Sequence, residues 1–142
     1  MNGFLLDTNI PSELIRPRPE PRVANWLKAN DDDQLYVSVI TLGEIRKGFT
    51  CVSEDKRRLK LERWLEEDLR PWFANRILPV DEAVAERWGV LDGKRQLRGT
   101  PLNTADGLIA ATALEHGLTV VTRNVKDFAG LGVEVFNPWD VQ

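Results

Sequence analysis

Apolar residues follow two rhythms along this chain. Phe4-Leu5-Leu6, Leu35 to Ile40, Ile77 to Val80, Leu118 to Thr122 and Val133 to Phe136 are short, nearly unbroken runs. Such runs suit strands that are covered on both faces. Between them the apolar positions recur at helical spacing. A helix is predicted from about Pro21 to Ala29, with Val23, Trp26 and Leu27 on one face. A longer one, from about Glu54 to Trp72, lines up Leu61, Trp64, Leu65, Leu69 and Trp72. Asp81 stands where a helix cap is expected, ahead of Val84, Trp88 and Leu91. A helix from near Thr104 carries Leu108, Ile109, Thr112 and Ala113 and should stop at Gly117, a residue suited to a left-handed cap. Thr8 and Asn9 offer capping side chains ahead of Pro11, and Thr41-Leu-Gly-Glu44 opens a further helix. Pro17, Pro19 and Pro21, Asn30 to Asp33, and Gly99-Thr100-Pro101 mark turns.

Strands alternating with helices predict an α/β fold with parallel pairing and right-handed crossovers. The length of 142 residues suits one domain spanning 1–142. The chain is 42% hydrophobic and 29% charged, which permits a core without staples. The single Cys51 excludes an internal disulfide framework, and one His with one Cys leaves no zinc quartet. No apolar run approaches the ~20 residues that span a bilayer. The N-terminus lacks the pattern of a signal peptide, so a cytoplasmic location is expected. The net charge of −3 does not announce a nucleic-acid binder, but a carboxylate-rich site would lower it.

The candidate chemistry sits where strands meet helices. Asp7 ends the first strand, Glu44 lies in the helix after the second, and Asn124 and Asp127 follow the fourth. Asp106 falls in the first turn of the helix before that strand. In parallel sheets, ligand sites form just beyond the carboxyl ends of the strands. Each acid also has a bland explanation. Asp7 can cap a helix, Thr41-x-x-Glu44 matches a capping box, Asp106 complements a helix dipole and Asp127 can cap a turn. Capping does not explain several acids delivered to one end of one sheet, where they would repel and raise one another's pKa. A divalent cation resolves that repulsion. Magnesium typically takes one or two carboxylates plus substrate phosphate, and such a site activates water against a phosphodiester. No covalent nucleophile is apparent. His116 beside Gly117 is more simply a helix-terminal cation.

At this point the residues match a family. Phe-Leu-Leu-Asp7-Thr-Asn9, Ser38-Val-Ile-Thr41-Leu-Gly-Glu44-Ile-Arg-Lys-Gly48, Asn103-Thr-Ala-Asp106-Gly-Leu-Ile-Ala-Ala-Thr112 and Val121-Thr122-Arg123-Asn124-Val-Lys-Asp127-Phe128 resemble the PIN-domain ribonucleases. The likeness is greatest to the VapC and FitB-like toxins of type II toxin–antitoxin pairs, and it runs from about residue 3 to 139. It implies a three-layer α/β/α domain around a mainly parallel sheet of four to five strands. It also implies an endoribonuclease dependent on magnesium, with manganese as a substitute. The acids matching Asp7, Glu44 and Asp106 are the family's metal site. A fourth acid often stands at the position of Asn124, which offers a carbonyl oxygen without charge. Asp127 either supplies the missing charge or points to solvent. Thr8, Asn9 and Thr122 are candidate groups that orient the ligands. The implied partners are an RNA substrate, a second copy of the chain, and a small antitoxin with a DNA-binding half; no membrane is implied.

Something positive must hold an RNA backbone near such a pocket. Candidates are Arg16, Arg18, Arg22, Arg46, Lys47, Lys94, Arg95 and Arg98, each of which could instead be a solvated charge. Trp64, Trp72 and Trp88 are either core residues or part of a partner groove around residues 54–72. Three other readings compete. A nuclease acting on DNA or on structured substrates, like related flap-type nucleases, would need extra elements for which the chain is too short. A phosphoacceptor receiver needs an Asp at the end of a central strand, and Ser38-Val-Ile-Thr41 has none. A catalytically weak PIN-fold binding module is kept open by Asn124.

Overall fold

The computed structural model describes residues 3–141; residues 1, 2 and 142, the outermost of the expected domain, lie outside the described residues. Strand β1 (Gly3–Leu6) leads through Asp7 and Thr8 into helix α1 (Asn9–Leu14), and α2 (Pro21–Ala29) follows the proline-punctuated turn. Next come β2 (Leu35–Ser38), α3 (Val39–Thr50) and α4 (Asp55–Trp64). A wider π-helical turn (Leu65–Leu69) joins α4 to α5 (Arg70–Trp72). The chain ends with β3 (Ile77–Leu78), α6 (Glu82–Leu97), α7 (Thr104–His116), β4 (Leu118–Val121) and β5 (Val135–Phe136).

The five strands form one sheet in the order β3-β2-β1-β4-β5, and every pairing is parallel. This is the expected α/β/α architecture. β1 is central, with Leu5 aligned to Val120 of β4 and to Tyr36 of β2. Side chains alternate across the strands, so the sheet carries two apolar faces. Leu6, Val37 and Val121 join Ile10, Val23, Leu42, Ile45, Leu65, Leu69 and Phe73 beneath α1 to α5. Leu5 and Val120 join Ile109, Ala110, Ala113 and Phe128 beneath α7. Both faces are covered, which is why the strand sequences read as unbroken apolar runs.

Three local expectations need correction. β2 ends at Ser38 rather than Ile40, because the Ser38 hydroxyl accepts from the Ile40 amide (3.0 Å) and caps α3. Glu44 therefore sits too deep in α3 to close a capping box with Thr41. β3 stops at Leu78, since Pro79 has no amide to donate to a ladder. The helix expected over residues 54–72 runs continuously from Asp55 to Trp72 but is not α-helical throughout: it widens into a π-helical turn just ahead of Pro71, whose ring would otherwise clash with the carbonyl four residues earlier. Asp81 does cap α6, accepting from the Val84 amide (2.9 Å), and Gly117 ends α7 in the left-handed region at φ 66°.

The end of the sheet away from the acids is tied by a cation. Arg76 donates to the carbonyls of Asp32, Leu35 and Trp72 and lies over the Phe73 ring. The Trp72 indole donates to Asp32 (3.0 Å). Among the described residues, no helix is long and apolar enough to cross a membrane.

Candidate active site and metal centre

The backbone delivers Asp7 to the carboxyl end of the central strand, where its amide still pairs with the Val121 carbonyl (2.9 Å). Its side chain turns into a ring of donors. Oδ1 accepts from the Thr8 amide (2.8 Å), and Oδ2 accepts from the Thr122 hydroxyl (2.7 Å) and the Asn9 amide group (3.3 Å). Thr122 stands at the end of β4, the strand beside β1, so parallel register alone places the two side by side. Having given its proton to Asp7, the Thr122 oxygen accepts from Asn9 Nδ2 (3.2 Å) and from the Asn124 amide (3.0 Å). Asn9 Oδ1 accepts in turn from the Arg123 amide (3.2 Å). The residues after β1 and after β4 are thereby laced together.

Glu44 reaches the same edge from α3, and its Oε1 accepts from the Thr8 hydroxyl (2.5 Å). Thr8 and Asn9 do not cap α1 with their side chains. They orient Glu44 and Asp7 instead. Asp106 enters from α7, whose first turn is set by Asn103: the Asn103 side chain accepts from the Asp106 amide (3.2 Å). Close packing fixes that turn further. A Cβ on Gly107 would lie 2.9 Å from the Trp88 indole of α6.

Electrostatics binds these positions into one site. Burial raises the Asp7 pKa above its ordinary value, against the pull of Thr122 and Thr8, and the charges of Glu44 and Asp127 raise it further. Asp106 is pushed up to about 6, first by burial and then by the charges of Asp7, Asp127 and Glu44. Four carboxylates therefore feel one another. Among the described residues none of the four forms an ion pair, and the neighbouring Arg46 is committed elsewhere, to Glu62 and Glu66.

The donor set is all oxygen, anionic and uncompensated, and so fits a hard divalent cation. The acids are not drawn together as a ready-made cage, since no close group of three possible ligands occurs among the described residues. Asp7, Glu44 and Asp106 are the residues that would hold an ion.

The amide at the fourth corner behaves differently. Asn124 is exposed and contributes its backbone amide, not its side chain, to the network. Asp127, also exposed, stands close enough to act on both Asp7 and Asp106.

The candidate cations separate as well. Arg16 pairs with Glu13, Arg22 with Glu20, and Arg95 donates to Thr100. Arg18, Lys47, Lys94 and Arg98 make no ion pair among the described residues. Trp26, Trp64, Trp72 and Trp88 are half-buried, and three of them pack against other rings. Trp64 packs edge-on against Phe49, Trp72 against Phe73, and Trp26 between Phe4 and Phe136. Sequence reasoning missed two positioning residues, Asn103 and Ser38. Both are capping residues three or fewer positions ahead of a helix's first turn, a signal that was available.

The PIN domain pattern matches residues 4–132. Toxin FitB of Neisseria gonorrhoeae is 43% identical over 136 residues, 96% of this chain and 98% of that protein. VapC ribonuclease Y4jK of Sinorhizobium fredii is 37% identical over 137 residues, 96% of this chain and 98% of that protein. Among solved structures, FitAcB from Neisseria gonorrhoeae superposes with a TM-score of 0.91 at 42% identity, covering 97% of this chain and 99% of that one. DNA-bound VapBC from Salmonella typhimurium superposes with a TM-score of 0.75 at 26% identity, covering 97% and 99%. The fold, the order of the motifs and these likenesses agree that the chain belongs to the PIN-domain family.

Proposed function

We propose that this protein is a divalent-metal-dependent endoribonuclease, the toxin of a type II toxin–antitoxin pair. The observation that carries the reading is the set of four mutually repelling carboxylates at one sheet edge, none of which forms an ion pair among the described residues. Relatives named as a toxin and as a VapC ribonuclease support it across nearly the whole chain.

Asp7, Glu44 and Asp106 would hold magnesium, with manganese as a substitute. Bound there, the ion supplies charge neutralisation at a scissile phosphate and a water of lowered pKa. The chain's own residues prepare for this. Thr122 and Asn9 keep Asp7 Oδ2 oriented, and the Thr8 amide holds Oδ1. The Thr8 hydroxyl fixes one Glu44 oxygen and leaves the other as an acceptor for a ligand or water. Asp106 must shed its proton before it can act as a ligand, and its raised pKa places that event just below neutrality. Asp127 adds negative charge to the rim without entering the hydrogen-bonded ring.

The partner proposed is a small antitoxin with a DNA-binding half. The relative named as a toxin and the DNA-bound VapBC assembly, similar to this chain in fold, support that assignment. The catalytic test is direct. Purified, partner-free protein should cleave RNA with magnesium or manganese, and both Asp7→Asn and Asp106→Asn should abolish it. Cleavage that survives both substitutions, or that never appears with either metal, contradicts the assignment.

A further inference from the structure

An acidic site must still hold a polyanion, and the structure separates the two basic residues beside Glu44. Arg46 is paired with Glu62 and Glu66 on the neighbouring helical segment. Lys47 makes no ion pair among the described residues, is exposed, and follows Glu44 by one helical turn. It lines a cleft of about 470 Å3 that begins at Glu44 and runs between α3 and the start of α7. The remaining walls are Gly48, Cys51, Asn103, Thr104 and Ala105. Gly48 leaves its side open, with no atom within 4 Å of where a Cβ would stand.

Resting on the ribonuclease reading, we propose that this cleft is the subsite for the RNA strand flanking the scissile phosphate, with the Lys47 ammonium on a neighbouring backbone phosphate. The lining suits that role. It has one free cation, small polar groups and no aromatic ring, so it can hold a sugar–phosphate backbone but offers no stacking platform for a base. Lys47 lies about 5 Å along α3 from Glu44, one turn of helix. That offset addresses an adjacent phosphate and leaves the scissile one to the acids. Lys47 is thus a positioning residue that contributes binding in the ground state and the transition state alike.

The test uses the full chain and a single-stranded oligoribonucleotide, with EDTA present so that the strand stays intact. Affinity is measured across a range of salt for the wild type, Lys47→Gln, Lys47→Arg and the remote Lys28→Gln. Lys47→Gln should weaken binding several-fold and flatten the slope of log K against log salt by about 0.7, the contribution of one phosphate contact on a single strand. Lys47→Arg should restore the slope, and Lys28→Gln should match wild type. With magnesium, Lys47→Gln should raise KM and leave kcat unchanged. The sole thiol, Cys51, gives an independent readout: saturating RNA should slow its alkylation. A wild type that binds RNA while Lys47→Gln keeps its affinity, slope and KM overturns the subsite and leaves the ribonuclease reading intact. Unchanged Cys51 alkylation under saturating RNA overturns it too. A wild type that neither binds nor cleaves RNA overturns both.

Discussion

Asp7 and Asp106 reach the same site by different means. Asp7 is 5% exposed, and three neighbouring groups donate to its carboxylate. The Asp106 carboxylate accepts no hydrogen bond among the described residues; only its backbone amide is held, by Asn103. One corner is fixed by geometry and partly compensated. The other is delivered by a helix, and burial, with the repulsion of its neighbours added, raises its pKa to about 6. On the proposed reading, the hydrogen-bonded corner would set where an ion sits, and the uncompensated corner would supply the drive to bind one. The contrast extends across the sheet, because at the far end Arg76 is engaged by three carbonyls, while among the described residues the acids form no ion pair.

The largest effect should come from breaking the hydrogen-bonded corner. Asp7→Asn should lower RNA cleavage by on the order of a hundredfold or more, as loss of a charge-stabilising group in an active site typically does. Its fold should remain intact with some loss of stability, since an amide has one acceptor oxygen where Asp7 offers one to Thr8 and the other to Thr122. Circular dichroism checks the fold and a gel assay the activity.

Next is the uncompensated corner. Asp106→Asn should also abolish cleavage, yet it should make the metal-free protein more heat-stable. The sign follows from linkage. The folded-state pKa of about 6 lies above the ordinary value of 3.8, so the folded protein binds more protons than the unfolded chain between those values. The metal-free wild type should therefore become more stable as pH falls from 7 towards 4, as far as Asp106 governs it. Asp106→Asn should flatten that dependence in melts recorded across this range.

Thr122→Val tests the lacing. It removes the hydroxyl that donates to Asp7 and accepts from Asn9 and Asn124. About 1–3 kcal/mol of stability should be lost in denaturant melts, because buried partners are left unmatched. Magnesium affinity should fall roughly 10- to 100-fold, the usual cost of losing a group that orients a ligand. The smallest effect is expected at the fourth corner. Asn124→Ala should change stability by no more than about 0.5 kcal/mol, because the network uses only its backbone amide. Asp127→Asn should lower the Asp106 pKa measurably, which titration by NMR can read.

Much of this contrast was legible in the sequence, for a physical reason. The unbroken apolar runs required a doubly covered parallel sheet, and a parallel sheet gathers strand-end residues at one edge. Asp7, Thr122 and the turn of Asp106 followed from that placement. Thr8 was expected, through the family resemblance, to orient a ligand; that its partner is Glu44 was not legible, because that residue lies 36 positions away. Glu44 itself was ambiguous, since Thr41-x-x-Glu44 satisfies the capping pattern locally and only Ser38's capture of the Ile40 amide removes that option. Arg46 and Lys47 look alike in sequence. They part company only because α4 and the wide turn after it bring Glu62 and Glu66 to one of them.

The central claim is that the acids form one uncompensated cation site with Asp106 as its titrating member. Magnesium binding measured by calorimetry near pH 6, in two buffers of different ionisation enthalpy, tests it most directly. The account predicts binding with net proton release in the wild type, and loss of that proton release in Asp106→Asn. Magnesium that does not bind, or that binds with the same proton release in both proteins, would contradict it.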